Sequence, residues 1–403
     1  MPEPRILLMA ETYHPVLGGG EKHTRTLALG LARRGFTVDV ITRQSSPDLA
    51  LLEDDGGVTI HRVGSPGQGR GRKFGMVPAA YRAARALARQ SDVLMNGGTR
   101  VLALPARAAI AGTRCALVLR PELNGELDGS LALWGRLSRD IERGVVRRLA
   151  RFRNLLLRRA GAVVAISQAI AREAVEAGFP QYKVRLIPHG IDMSVYAPVA
   201  PEHKALLRAT LGLPAEKLLV TYTGRLIEGK GLETLFAAMK SVADLPSLHL
   251  VLVGSGQGQV ISIEEKLREL ASAAGLLGRV TFTGRVENVA AYLQASDLFV
   301  FPTLDEALGM SAVEAQACGL AAVASRTGGV PDIVEDGVTG ILVPPGEAEP
   351  LAAGLRKLIE DPALRSRYAD AARPRTQTRF AIETTVSRYA DLFRSLSPKG
   401  SST

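Results

Sequence analysis

The sequence predicts an α/β protein made of two doubly wound parallel-sheet domains. Three observations carry this expectation. Short apolar runs alternate with helix-length amphipathic segments along the 403 residues. The runs are mostly apolar instead of regularly alternating with polar residues, as in strands buried on both faces beneath covering helices. A stretch with three prolines, IPHGIDMSVYAPVAPEHK (187–204), separates one series of runs from a second. Repeated βα units on this scale belong to α/β architecture, and the length suits two or three domains at roughly 100–200 residues each.

The first series consists of RILLMA (5–10), VDVIT (38–42), DVLM (92–95), ALVLR (116–120) and AVVAI (162–166). The second consists of LLVTYTG (218–224), LHLVLVG (248–254), VTFTG (280–284), DLFVFPT (297–303) and AAVAS (321–325). Helical patterns such as GLETLFAAMKSVADL (231–245) lie between them. The linker is expected near 195–204, giving an N-terminal domain over 1–198 and a C-terminal one over 199–382. A last helix over roughly 380–396 follows the proline-containing ARPRTQTRF and could pack on either domain. Two such domains would define a cleft, and ligands would bind at the carboxyl edges of the sheets.

Composition narrows the function classes. The chain is 46% apolar and 22% charged, an ordinary globular balance. Its net charge of +10 is unevenly placed. Residues 1–200 hold 29 basic and 17 acidic side chains, a net of +12, whereas the remainder holds 21 and 23. Two cysteines, Cys115 and Cys318, support neither a disulfide framework nor a cysteine zinc site and suit a reducing cytoplasm. The opening MPEPRILLMAETYHP reads as a first strand and not as a signal peptide. No apolar run approaches the ~18 residues of a membrane span. The expectation is a cytoplasmic protein, soluble or peripheral on the inner face of the cell membrane.

Three segments suit phosphate. In LGGGEKHTRTLALGLARRG (17–35), glycines 18–20 follow the first strand and run into a helix, where backbone N–H groups can approach an anion closely. The same geometry also serves as a plain tight connection. GRLIEGKG (224–231) approaches a Walker A pattern, but Gly231 stands where a magnesium-holding Ser or Thr is needed, so a nucleoside-triphosphatase is rejected. What remains is a pair of cations, Arg225 and Lys230, at the mouth of a strand, suited to a diphosphate or merely solvated. In TLDEALGMSAVEAQACG (303–319), the amides of Gly309, Met310 and Ser311 begin a helix able to bind phosphate. Glu306 and Glu314, eight residues apart, can lie on one side of its start. Either acid could simply favour the helix dipole; beside a phosphate it needs hydroxyls or a cation as partner.

Other features say less. GSGQG (254–258) misses the G-x-G-x-x-G spacing and reads as a tight turn. The six histidines form no HExxH-like group and no Asp-x-Asp occurs, so no tightly bound metal is expected. In LALWGRLSRDIERGVVRRLARFRNLLLRRAG (131–161), apolar Trp134, Leu137, Ile141, Val145, Leu149, Phe152 and Leu156 recur at helical steps. Arg136, Arg139, Arg143, Arg147 and Arg151 keep the same rhythm on another side, and 136–159 carries nine Arg against two acids. This is either a domain helix with one buried and one solvated face, or a basic amphipathic helix for an anionic membrane surface. A nucleic-acid surface is not expected, because the chain is 5% aromatic and has no recognition motif.

The order of these segments resembles that of retaining glycosyltransferases of family 4, which have the GT-B fold and include the glycogen-synthase and phosphatidylinositol-mannosyltransferase-like enzymes. The likeness rests on the Gly18–Gly20 loop with LALGLARRGFTVDVIT, IPHGID (187–192), TGRLIEGKG (223–231), LVGSG (252–256), VTFTGRV (280–286), the Glu-x7-Glu block ending EAQACGLAAVAS (314–325), and TGGVPDIVEDGVTGILVPPG (327–346). It covers nearly the whole chain and is strongest in the second half. The resemblance implies a donor nucleotide-sugar whose diphosphate is held by Arg225 and Lys230, with Leu308, Gly309 and Met310 and the Gly19/Gly20 loop. It implies Glu314 on the ribose, Glu306 facing the donor sugar, Val286 beside the base, and a last helix, 383–403, returning to the first domain. Arg225, Lys230 and Glu306 would be the catalytic residues.

One departure concerns the acceptor side. Members of the family often carry a His after the strand that here ends ALVLR, and this sequence has Arg120-Pro121-Glu122-Leu123-Asn124-Gly125-Glu126 instead. Arg120, Glu122 or Asn124 would take over sugar or acceptor contact. His189 stands where Asn is frequent. The expected function is metal-independent, retaining transfer of a hexose-type sugar to a hydroxyl acceptor in glycan, polysaccharide or glycolipid synthesis, closure of the domains excluding water. The alternatives are a cytosolic transferase making a small glycoside, and a catalytically silent nucleotide-sugar-binding protein.

Overall fold

The computed structural model describes residues 3–16, 18–67, 74–130 and 140–397, the side chains of 140–143 excepted. The chain divides into two compact units, one running up to Gly190 and resuming at Ile382, the other Ile191–Ala381. The division falls at 190/191 and not at the expected 198/199. Ile191 donates its N–H to Phe380 O at 2.8 Å and bridges Ala381, so the second unit is entered and left side by side.

The first unit holds β1 (Arg5–Met9), β2 (Thr37–Arg43), β3 (Leu52–Asp54), β4 (Val58–Val63), β5 (Val93–Gly97), β6 (Ala116–Arg120), β7 (Ala162–Ala165) and β8 (Val184–Leu186). Its sheet order is β3-β4-β2-β1-β5-β6-β7-β8, parallel except where β3 meets β4. The mostly apolar runs are explained by the two cores. Ile6 and Leu8 of β1 face one side with Leu27 and Leu31, and Leu7 and Met9 face the other with Ala80, Ala84 and Ala106. The C-terminal helix Ile382–Leu396 belongs to the first of these cores through Ile382, Val386, Tyr389 and Phe393. A Cβ at Gly30 would stand 2.7 Å from Val386 Cγ2, so the Gly19–Ala32 helix meets it closely.

The second unit holds β9 (Leu218–Thr223), β10 (Leu248–Val253), β11 (Val280–Phe282), β12 (Leu298–Phe301), β13 (Ala322–Ser325) and β14 (Gly340–Val343). They form one parallel sheet in the order β11-β10-β9-β12-β13-β14. The proline-containing stretch before the last helix is itself helical, with Pro374 inside the helix Pro362–Phe380. That helix buries Tyr368, Ala372, Thr376 and Phe380, and Arg373 donates to the carbonyls of Tyr196 and Ala317 at 2.8 and 2.7 Å. Tertiary packing offsets the one intrahelical bond that proline removes.

The arginine-rich segment forms a helix over Asp140–Leu157. Trp134, Arg136, Leu137 and Arg139 lie outside the described residues, as do the side chains of Ile141 and Arg143. The rest overturns the simple domain-helix expectation. Val145, Leu149, Phe152 and Leu156, the stripe that should be buried, are exposed, Leu149 and Phe152 at 63% and 62%. The helix turns Ala150, Asn154 and Leu157 inward instead. The reason is close backbone: a Cβ at Gly129 would stand 3.1 Å from Ala150 Cβ, and Asn154 Nδ2 donates to Leu127 O at 2.7 Å. Only small or hydrogen-bonding side chains fit against residues 127–129, whereas Leu157, one to two turns further on, reaches the apolar core. No described helix is long and apolar enough to cross a membrane.

Candidate active site

In a doubly wound sheet the chain reverses direction between two neighbouring strands, and the loops at their carboxyl ends part to leave a crevice. In the second unit this point lies between β9 and β12. The loop after β9 carries Arg225 and Lys230, and the loop after β12 carries Glu306 and Gly309. Leu304 N–H donates to Gly229 O at 3.0 Å and ties the two loops together. Gly231 has φ +66°, and a Cβ there would stand 1.8 Å from Pro302 O. The position that a Walker A motif gives to a hydroxyl is therefore occupied by neighbouring backbone. Gly254 is fixed in the same way, its Cβ direction 1.9 Å from Gly224 O, so GSGQG is a point of backbone contact between strand ends.

Lys230 Nζ donates to Glu306 Oε2 at 2.6 Å, each side chain about one-fifth exposed. Glu306 O accepts from Gly329 N–H at 2.9 Å, and buried Thr303 donates to Asp305 O at 3.0 Å, which fixes the loop. Tyr222 lies buried beneath, its hydroxyl donating to Arg225 O at 3.1 Å. Burial raises the Tyr222 phenol pKa, Glu306 adds to the rise and Arg225 opposes it. The exposed Arg225 side chain thus has a fixed backbone. Gly309, φ +105°, precedes the Met310–Ala317 helix, and its carbonyl accepts from Ala312 and Val313. The N–H groups of Met310 and Ser311 precede any intrahelical partner. Leu308 is buried. Glu314 sits in the helix and pairs with the Tyr196 phenol, whose pKa is raised by burial and then by Glu314. The two acids thus have separate partners. Val286, after β11, packs its side chain on the core of Leu213, Val251 and Ala295.

In the first unit the switch point lies between β1 and β5. Gly19 and Gly20 open the Gly19–Ala32 helix, and a Cβ at Gly20 would stand 3.7 Å from Glu122 Oε2. Arg120 Nε donates to Glu122 Oε1 and Nη2 to Thr24 Oγ1, both at 2.7 Å. Arg120 is 1% exposed, so a sugar would meet Glu122 or the half-buried Asn124 before it. The ion pair with Arg120 fixes the Glu122 carboxylate.

His23, His189 and Glu126 have surroundings that no local sequence pattern shows. His23 and His189 stack with centroids 3.9 Å apart at 16°, and His189 Nε2 stands 3.5 Å from Glu122 Oε2. Burial holds both imidazoles well below their ordinary pKa, and Arg120 adds to this. Glu126, 3% exposed, accepts from Thr99 N–H and Oγ1 at 2.6 and 2.9 Å, and burial pushes its carboxyl up to about 7. The motif IPHGID contains His189, but nothing local pairs it with a residue 166 positions earlier in the chain. Among the described residues no three His, Cys, Asp or Glu side chains converge as a metal site would.

Comparison with known proteins bears on the family and the fold. Residues 17–195 match the family described as Glycosyltransferase Family 4, and residues 204–375 match Glycosyl transferases group 1. The structure is similar to that of a sucrose-phosphate synthase from Thermosynechococcus elongatus, with 26% identity and a TM-score of 0.81 over 97% of this chain and 99% of that one. It is also similar to Anabaena HepE in complex with UDP and glucose, with 25% identity and a TM-score of 0.78 over 98% and 100%. A D-inositol 3-phosphate glycosyltransferase of Rhodococcus opacus (strain B4) is 34% identical over 217 residues, 53% of this chain and 48% of that protein. The match thus spans about half the length of that curated relative. The fold is GT-B, two Rossmann-like domains with parallel sheets. The chain belongs to glycosyltransferase family 4.

Proposed function

We propose that this chain transfers a hexose-type sugar, with retention, from a nucleoside-diphosphate-sugar to a hydroxyl acceptor in glycan or glycolipid synthesis. The observation that carries the reading is the grouping of Arg225, Lys230, Glu306 and the Gly309–Ser311 amides at one switch point. These are two cations and a helix N-terminus for a diphosphate, with a carboxylate beside them for sugar hydroxyls. As the glycosidic C–O bond lengthens, charge grows on the leaving diphosphate, and Arg225, Lys230 and the helix N-terminus stabilise it. The acceptor oxygen forms its bond on the same face, and its proton passes to the departing phosphate oxygen. No protein nucleophile or resident metal enters this scheme. Glu314 takes the ribose, Val286 the base and Gly19/Gly20 further phosphate contact; Glu122 and Asn124 are assigned to the sugar or acceptor side. HepE, which shares the fold, has been solved with UDP and glucose and with UDP-glucose, which favours a uridine diphosphate donor here.

A small phosphorylated acceptor is the second reading. It is favoured by the names of two similar proteins, a D-inositol 3-phosphate glycosyltransferase and a sucrose-phosphate synthase. Thermal unfolding with a panel of nucleotide-sugars tests the donor assignment. One of them should raise the Tm of the natural protein and not that of Lys230→Ala; no shift with any donor refutes it. Turnover of that donor with soluble phosphorylated polyols against lipid-linked acceptors separates the two readings.

A further inference from the structure

We infer that the Asp140–Leu157 helix docks the first unit on an anionic lipid surface. Around its axis it presents three faces. Ala150, Asn154 and Leu157 face the core. Val145, Leu149, Phe152 and Leu156, at steps of four, three and four residues, form an apolar stripe in solvent. Arg147, Arg148 and Arg151, with Arg158 and Arg159 just beyond the helix, are exposed along the far side of that stripe. Residues 144–159 hold six Arg and no acid.

Water-facing leucine and phenylalanine in a continuous row are costly unless something covers them. The flanking charge identifies what does. A second copy of this chain in a two-fold pair would set one row of arginines against another, which disfavours self-association. A polyanion such as nucleic acid would use the arginines and leave the stripe in water. A bilayer with anionic headgroups meets both demands, apolar side chains entering the headgroup boundary while the guanidinium groups stay at the phosphates. This surface is independent of the donor loops of the second unit, so it stands or falls apart from the transferase reading.

The test is co-sedimentation of the full chain with vesicles of phosphatidylcholine alone or mixed with phosphatidylglycerol, at low and high salt. Binding is expected to the anionic vesicles only and to fall steeply with salt. Arg147→Glu/Arg148→Glu/Arg151→Glu should weaken it by roughly a hundredfold or more, given about fivefold per lost cation near the surface. Leu149→Gln/Phe152→Gln should abolish it, since charge alone does not insert. Circular dichroism and cooperative thermal unfolding certify that both variants fold. Three results overturn the inference: no binding of the natural protein to anionic vesicles; binding unchanged by Leu149→Gln/Phe152→Gln, which would leave a purely polyanionic surface; or a dimer in light scattering that this pair of substitutions converts to monomer, which would identify a second copy as the cover.

Discussion

Lys230 Nζ stands 2.6 Å from Glu306 Oε2, joining the loop after β9 to the loop after β12. A carboxylate placed near an incoming diphosphate repels it, and this ion pair supplies the compensation from within the protein. On the proposed reading Lys230 turns part of its hydrogen bonding to phosphate, and Glu306 is released toward sugar hydroxyls. Each group then needs the other. Lys230→Ala and Glu306→Gln should each lower transfer by about a hundredfold or more, with secondary structure unchanged. Steady-state kinetics check this, and turnover within a few-fold of the natural protein in both variants would remove the pair from catalysis.

Gly231 is expected to tolerate no side chain. Gly231→Ser would complete the Walker-like GRLIEGKG pattern, yet its Cβ would meet Pro302 O at 1.8 Å with φ at +66°. Strain and displacement of the Pro302 backbone should cost at least about 2 kcal/mol. Thermal or urea unfolding would register it, and a variant as stable as the natural protein would contradict the close approach.

The stacked pair His23–His189 makes the first unit sensitive to acid. Both imidazoles have folded pKa values depressed by burial, so the unfolded chain takes up protons first. Their contribution to stability is fully present above the unfolded value of about 6.5 and is lost as pH falls below it. A His23→Phe/His189→Asn protein should lose less stability than the natural one between pH 7 and pH 5. Parallel Tm curves over that range would refute the assignment.

Glu126 should act in the opposite sense. Its folded pKa, about 7, exceeds the unfolded value of 4.5. Its contribution is fully present below the unfolded value and is lost as pH rises through the folded one, a difference on the order of 3 kcal/mol. Glu126→Gln keeps an acceptor for Thr99 and removes the titration. The variant should therefore gain stability over the natural protein as pH rises from about 4.5 to 7, read as the difference between the two Tm curves.

The parts legible in the sequence are those written locally. β1, β5, β6, β9, β10 and β12 announce themselves because burial on both faces keeps each run mostly apolar, with only isolated polar residues such as Thr221 and His249. The glycine turns and the Glu306–Glu314 block fall within one strand–loop–helix unit each. What escaped has weak local pattern or long range. β3 and β8 are edge strands of three residues, β14 has four, and VTIHRV of β4 alternates in burial, so none forms a long apolar run. The His23–His189 stack and the Glu122–Gly20 proximity exist only because the sheet brings distant strands side by side. The helix over Asp140–Leu157 misleads for a third reason: its inward face is chosen by a close backbone loop, which prefers Ala150 and Asn154 to leucine.

The helix Ile382–Leu396 closes a core begun by residues translated almost four hundred positions earlier. Along the chain, therefore, the last residues of the second unit come before the segment that completes the first, so the first unit cannot finish ahead of the second in the usual N-to-C order. While that helix is still in the exit tunnel, Leu27, Leu31 and their neighbours lack part of their cover, and a stop codon after Ala381 would spare the unit it follows and cripple the one that came out first.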